Sequence, residues 1–466
     1  MNRRGRMHTK RKKLSAPNSF FFKRLSVGSP YNCNVPKQTA IDFSVRTEAI
    51  AGVTTFLTIV YIVVVNPAVL AAEGKTGITF SGALTATVLV CFVMTLLMGV
   101  YARLPFAVAP GLGLNAFFAY GVIISKQVPW QTALGIVFWS GALFLAVSAT
   151  PLRKAIATAI PRNLRYAAGV GIGIFLTFIG LKNAGVVEAD PVTLVKFGAF
   201  GWPAVVTLAG VVVTAILVKF KSSLAFLAGI AFVTIAGVIA GWVKPPDAFV
   251  SMPDFTSVFL KLDILGALKL SLLPVIVSIM FTDLFDSIST LMGVSHAAGL
   301  IGEDGEPLRL QEGLVVDSFA TFGAGLFGSS PGTAYIESVA GIEMGGRTGW
   351  TAVFCAICFI PCLFLAPLAG MVPANATAVV LLMVGAYMFR SVKEITFEKL
   401  EDSLPAFVTI ILIPLTFSIT AGILWGFIAH AVMYTIAGRW KEVGVVMYAL
   451  AALSVGLVVL EHWKIN

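Results

Sequence analysis

The sequence predicts an all-α polytopic membrane protein of about 14 spans in a 7+7 inverted repeat, with the third and tenth spans broken. Three observations carry this expectation. The 466 residues are 58% hydrophobic and only 12% charged, and the mean hydropathy is +0.91, far from the balance of a soluble domain. Apolar runs long enough to cross a bilayer follow one another along nearly the whole chain. Inside one of them, Phe281 to Ser295, lie two carboxylates, Asp283 and Asp286. A mid-bilayer acid costs about 2.5 to 3.5 kcal/mol even on the lenient insertion scale, so two together mark a functional site.

Residues 1–43 form a basic tail, with Arg3, Arg4, Arg6 and the run Lys10 to Lys13, but no apolar core of signal-peptide length. It reads as a disordered cytoplasmic segment that touches anionic lipid. The first repeat, residues 44–242, holds runs near 49–71, 79–100, 106–124, 132–150, 167–186, 202–220 and 222–242. The second, 269–440, holds runs near 269–295, 312–328, 332–345, 350–371, 373–391, 404–420 and 421–438. The remaining 441–466 is a C-terminal segment whose run 443–460 is a further span or a helix against the bundle. With the N-terminus inside, Arg103, Arg153, Lys154, Arg162, Arg165, Arg347 and Arg390 fall in inner loops, while the loop 184–200 is poorer in Lys and Arg. That bias accounts for the net charge of +10 without a nucleic-acid partner. Of the five cysteines, Cys91, Cys355, Cys358 and Cys362 sit in apolar runs and Cys33 in the tail, with no disulfide or metal spacing.

Halves with an odd number of spans must insert in opposite senses, and weak internal similarity follows that division. Trp202 to Leu208 resembles Leu404 to Ile410, and Phe226 to Gly237 resembles Trp425 to Gly438. In each half the third span carries a Pro-Gly break, Pro110-Gly111 and Pro331-Gly332. Proline has no N–H to donate and glycine resists helix, so both spans should enter extended and become helical afterwards. Paired broken helices are the best sequence pointer to a midplane site in a secondary transporter.

The strings TEAIAGVTTFLTIVYIVVVNPAVL, VAPGLGLNAFFAY, FTDLFDSISTLMGV and PGTAYIESVAGIEMGGRTGW together resemble the AzgA-like purine permeases, guanine, hypoxanthine and adenine transporters of the nucleobase:cation symporter-2 class. The resemblance covers roughly residues 45–440. It implies a transporter, not an enzyme, with a core of spans 1–4 and 8–11, a gate of spans 5–7 and 12–14, and a nucleobase held between them. The family's functional positions match Asp283, Asp286 and Glu337, and Asn115 near Gly113. The expected substrate set is therefore Asp283, Glu337, Asn115, Gly113, Thr333 and Ala334, and the expected proton set Asp283, Asp286 and Glu337. No cofactor or metal is expected beyond the coupling proton. The expected partners are the nucleobase, membrane lipid and, as a candidate, a second copy of the chain, in the cell membrane.

The residues' own chemistry agrees. A purine edge offers ring N–H donors and nitrogen or carbonyl acceptors, which carboxylates and an amide can answer. Asp283 and Asp286 are three residues apart on one helix, where two ionised acids repel and one should hold a proton. Glu343, Arg347 and Asp317 read as interfacial or helix-end charges, and His430 as a packing residue. His296 falls at the inner end of the eighth span, and Lys182 and Asn183 snorkel at the outer end of the fifth. Phe117, Phe118 and Tyr335 read as core or lipid-facing. An intramembrane aspartyl protease would take its two acids from different helices, and no ring of one charge suggests a channel. An anion transporter or exchanger of the same fold, or a symporter for uracil or xanthine, remains the alternative.

Overall fold

Helix dominates the apolar runs because a chain in lipid must satisfy its backbone internally. The structure is a computed structural model that describes residues 44–150, 159–302 and 307–462. The tail 1–43, with Cys33, and the loop cations Arg153 and Lys154 lie outside the described residues. Eight described helices are long and apolar enough to cross a membrane, and shorter apolar helices accompany them.

The first half contains α1 (Val45–Ile59), α2 (Ile62–Ala71), α3 (Phe80–Leu97), strand β1 (Val108–Pro110), α4 (Leu112–Ala116) and α5 (Trp130–Ser148). A π-helical stretch, Phe117–Ser125, continues α4. Then come α6 (Arg162–Asn183), the hairpin β2 (Val187–Asp190) and β3 (Leu194–Phe197), α7 (Trp202–Lys219) and α8 (Ala225–Ile239). The second half contains α9 (Leu273–Ala298), α10 (Leu310–Phe327), β4 (Gly332–Ala334), α11 (Val339–Glu343), α12 (Gly349–Phe359) and α13 (Ala366–Gly370). It closes with α14 (Ala374–Phe389), α15 (Leu400–Thr416), α16 (Ile419–Ile436) and α17 (Val445–His462). The run 443–460 is thus helical, and α17 packs on α16 and α9.

Packing divides the helices into two groups. One gathers α1 to α5 with α9 to α12, and the other gathers α6, α7 and α8 with α14, α15 and α16. Small residues let helices approach closely within a group. A Cβ on Gly141 of α5 would stand 2.2 Å from the Phe322 backbone of α10. Glu48 ties α1 to α12: its buried carboxylate accepts from the backbone N–H groups of Thr348 and Thr351 and from the Thr351 hydroxyl. These donors begin a helix and would otherwise be orphaned. Between the halves, the linker 240–272 is lashed across α3 and α5. Asp254 accepts from Ser81, Thr256 and Ser257, and although burial raises its pKa, these bonds prevail and hold the carboxyl well below its ordinary value.

The two Pro-Gly segments meet at the centre. Val108 to Pro110 pairs antiparallel with Gly332 to Ala334 in the register Val108↔Ala334, Ala109↔Thr333, Pro110↔Gly332. Gly111 N donates to Pro331 O at 2.9 Å and Tyr335 N to Ala107 O at 2.9 Å, extending the ladder by one bond at each end. The two extended breaks thus satisfy each other's backbone, which is how non-helical chain survives at membrane depth.

Candidate functional site

β1 and β4 lead into short helical segments that carry the candidate side chains. Asn115 sits in the first turn after β1, and Glu337 in a 3₁₀ turn, Ile336–Ser338, after β4. Both segments are pinned from behind. Thr95 Oγ1 donates to Val108 O at 2.9 Å, and Ser338 Oγ accepts from Ala107 N at 3.0 Å. The Tyr335 hydroxyl donates to Pro110 O at 2.5 Å.

The structure separates the acids that the sequence groups together. Asp283 is fully buried between α9 and α10, where the Thr321 hydroxyl donates to its Oδ2 and Oδ1 has no partner. Asp286, three residues on, is half-buried and makes no hydrogen bond to any described residue. Glu337 is half-buried too, and its Oε1 accepts from the Tyr61 hydroxyl at 3.0 Å. Asp286 and Glu337 lie within electrostatic reach of each other. Asp286 and Glu337 are thus partly exposed, whereas Asp283 is sealed.

Asn115 is fully buried and donates its Nδ2 to Asn66 Oδ1 at 2.9 Å. Gly113 lies where a Cβ would come within 2.5 Å of Ile172 Cγ2, so glycine lets α4 close on α6. The Ala334 N–H donates to Asp317 Oδ2 at 3.2 Å, and the Thr333 hydroxyl lies 3.4 Å from Ser287 Oγ. Both turn towards α9 and α10. Phe117, Phe118 and Tyr335 are buried in the core.

The expectation that Asp317 is an interfacial or helix-end charge is corrected. Helix α10 begins at Leu310, so Asp317 lies two turns inside it and faces α9, fully buried. The same signal that marked Asp283, an acid within an apolar run, was present there. Arg347 does sit at a helix end, where it donates to Ile342 O and Gly346 O. Glu343 pairs with exposed Lys221 at 3.4 Å. His430 packs against Tyr434 with ring centroids 4.2 Å apart. It also lines a cavity of about 210 Å³ with Asp402 and Arg162, remote from the acids of the site. Lys182 and His296 are exposed, and Asn183 lies beside Tyr120.

Two further residues escaped sequence reasoning. Asn66 of α2 is a buried hub: its Nδ2 donates to Thr87 Oγ1 at 2.8 Å and Ser329 Oγ at 3.1 Å, and its Oδ1 accepts from Asn115 and from Ser330 Oγ at 3.1 Å. It stands between Val65 and Pro67 as the lone polar side chain of an apolar stretch, a signal that could have found it. Tyr61 occupies the kink between α1 and α2 and holds Glu337. Its ring packs on Phe226 of α8 at 4.9 Å.

Comparison with known proteins fits this architecture. The family model described as Permease family (Xan_ur_permease) matches residues 46–425. The chain is 42% identical to a putative permease, MJ0326, of Methanocaldococcus jannaschii over 412 residues, 88% of this chain and 94% of that protein. It is 40% identical to the adenine permease AdeP of Escherichia coli K12 over 411 residues, 88% of this chain and 92% of AdeP. It is 39% identical to the guanine/hypoxanthine permease PbuG of Bacillus subtilis over 417 residues, 87% and 94% of the two chains. Among solved structures, the transmembrane domain of a cyanobacterium bicarbonate transporter, BicA, superposes with a TM-score of 0.60 at 17% identity, covering 82% of this chain and 97% of that one. Murine Slc26a9, an anion transporter in the inward-facing state, gives 0.55 at 9%, covering 90% and 74%. The two structures share the fold alone; the sequence relatives go further, and this chain belongs to the permease family of the nucleobase:cation symporter-2 class, multi-pass membrane transporters and not enzymes.

Proposed function

We propose that this chain is a proton-coupled symporter that imports purine nucleobases, hypoxanthine, guanine or adenine, into the cell by alternating access. It lies in the cell membrane with a cytoplasmic N-terminus and about 14 spans in two inverted repeats of seven. The helix group α1 to α5 with α9 to α12 acts as the core, and α6 to α8 with α14 to α16 as the gate. The observation that carries the reading is the pair of half-buried carboxylates, Asp286 and Glu337, beside two broken helices that complete each other's backbone.

The chemistry suits a neutral heterocycle. A carboxylate accepts from adjacent purine N–H groups, and each unmet donor in a dry site costs about 1 to 3 kcal/mol, so the acids select by what they leave unpaired. Asn115 shapes the site from the opposite half-helix, held by Asn66, with Gly113, Thr333 and Ala334 building the backbone around it. A purine adenine permease and a guanine/hypoxanthine permease among the relatives support the substrate class. An anionic substrate would meet the negative potential of Asp286 and Glu337 with no charge to offset it.

A neutral purine gains nothing from the membrane potential. A proton entering with it gains about 2.3 kcal/mol per 100 mV and about 1.4 kcal/mol per unit of pH gradient. Concentrative uptake of radiolabelled purine should therefore collapse on addition of a protonophore at constant sodium and persist when choline replaces sodium. Uptake that follows sodium and ignores the protonophore contradicts the proton assignment.

A further inference from the structure

Helices α9 and α10 present a reciprocal arrangement of acids and hydroxyls. Asp283 and Ser287 stand one turn apart on α9, and Asp317 and Thr321 one turn apart on α10. Thr321 donates to Asp283, and Ser287 faces Asp317, so the acid of each helix stands opposite the hydroxyl of the other. Thr333, at the middle of β4, lies beside Ser287 and Asp317, and Ala334 N donates to Asp317 Oδ2 at 3.2 Å. Asp283, Asp317, Ser287 and Thr321 each have 0% exposure.

Each acid keeps one oxygen, Asp283 Oδ1 and Asp317 Oδ1, buried and without a partner among the described residues. Asp317 and Asp286 both bear on Asp283, and Asp286 bears on Asp317 as well, all charges of the same sign. Across the site, Glu337 and Tyr335 bear on Asp286, and Tyr61 bears on Glu337. Two uncompensated anions sealed from water are costly, and two orphan acceptors lack a donor. A single proton answers both needs, because it removes one charge and turns an orphan oxygen into an O–H.

We propose that Asp283 and Asp317 form a separate two-carboxyl site that takes up the coupling proton, leaving Asp286 and Glu337 to the nucleobase. This rests on the symporter reading above and deepens it. Uptake forms an O–H bond at Asp283 Oδ1 or Asp317 Oδ1 with a proton delivered from water on one side of the membrane, and release breaks that bond and returns the proton to water on the other. The link to substrate is β4. Ionised Asp317 holds the Ala334 N–H by a charge-assisted bond, and Glu337 follows three residues later on the same segment. Protonation weakens that bond and frees the segment, so the state of the pair sets the position of Glu337.

The test compares gradient-driven accumulation with exchange at equal concentrations in proteoliposomes of the full chain. One proton at 100 mV can sustain about fiftyfold accumulation. In Asp283→Asn and Asp317→Asn the accumulation ratio should fall to about one while exchange continues, because a neutral amide fixes the pair in one state. In Glu337→Gln both should be lost. Wild-type accumulation in both Asp variants overturns the proposal, and so does accumulation driven by a sodium gradient that both variants abolish. A substrate-free measurement separates this idea from the purine reading. Infrared difference spectra of the purified protein across pH should show a solvent-shielded protonated-carboxyl band that changes in both Asp variants and not in the exposed control Asp247→Asn. A band indifferent to both variants overturns the proposal whatever the protein transports. Where an Asp variant fails to fold, Thr321→Val, which removes only the hydroxyl donor, should shift the midpoint of the same band, and an unmoved midpoint counts against the pair.

Discussion

Glu337→Gln is expected to lower purine uptake about a hundredfold or more while the protein still reaches the membrane at its normal level, because in the proposed site an acceptor facing ring N–H groups becomes a donor. The change is nearly isosteric, so packing is preserved. The Gln carbonyl can still accept the Tyr61 hydroxyl now given to Oε1 at 3.0 Å, which protects the local fold. What is lost is the second oxygen and the negative charge, the features that discriminate a heterocycle with two N–H groups from one without. Uptake kinetics alongside an immunoblot of the membrane fraction make the comparison. Near-normal uptake in both Glu337→Gln and Asp286→Asn would show that the nucleobase site lies elsewhere in the chain.

Asn66→Ala is expected to lose both stability and uptake, by a different route. Four hydrogen bonds converge on this amide from α3, α4 and the segment before β4. Its truncation strands Thr87, Ser329, Ser330 and Asn115 in a dry interior, at a cost of about 2 to 4 kcal/mol once partial rearrangement is allowed. The two broken segments would then lose the side chain that registers one against the other. Thermal unfolding of the purified protein should shift down by several degrees, and Asn66→Asp, which keeps the acceptor oxygen, should recover part of the loss. A melting temperature and uptake both at wild-type values would remove Asn66 from the account.

Much of this architecture was legible because lipid imposes a simple rule on sequence: long apolar runs become helices. The breaks at Pro110-Gly111 and Pro331-Gly332 were readable for the same reason, since they violate that rule in matching places. Their pairing was less accessible. β1 and β4 are three residues each, too short for a periodic signal, and only the fold brings Val108 opposite Ala334. The distribution of acids was harder still. Asp283 and Asp286 differ by three positions, so a modest rotation of α9 decides which is sealed and which is open, and that rotation is set by packing on α10. Asp317 is hard to place from sequence because its apolar run begins near residue 312, which sets the acid close to the helix end, whereas the helix itself starts at Leu310. Tyr61 is an ordinary residue type for an apolar span and Asn66 a single polar one, and the importance of both comes from partners more than 200 residues away, Glu337 for one and Ser329 and Ser330 for the other.

The most direct test of the central claim is a panel of radiolabelled uptake in cells that lack their own purine permeases. Hypoxanthine, guanine and adenine would be compared with uracil, xanthine, ascorbate and sulfate, each against cells carrying an empty vector. The account expects saturable uptake of at least one of the three purines, inhibited by the unlabelled compound and lost in Glu337→Gln. Transport of sulfate with indifference to every purine would contradict it.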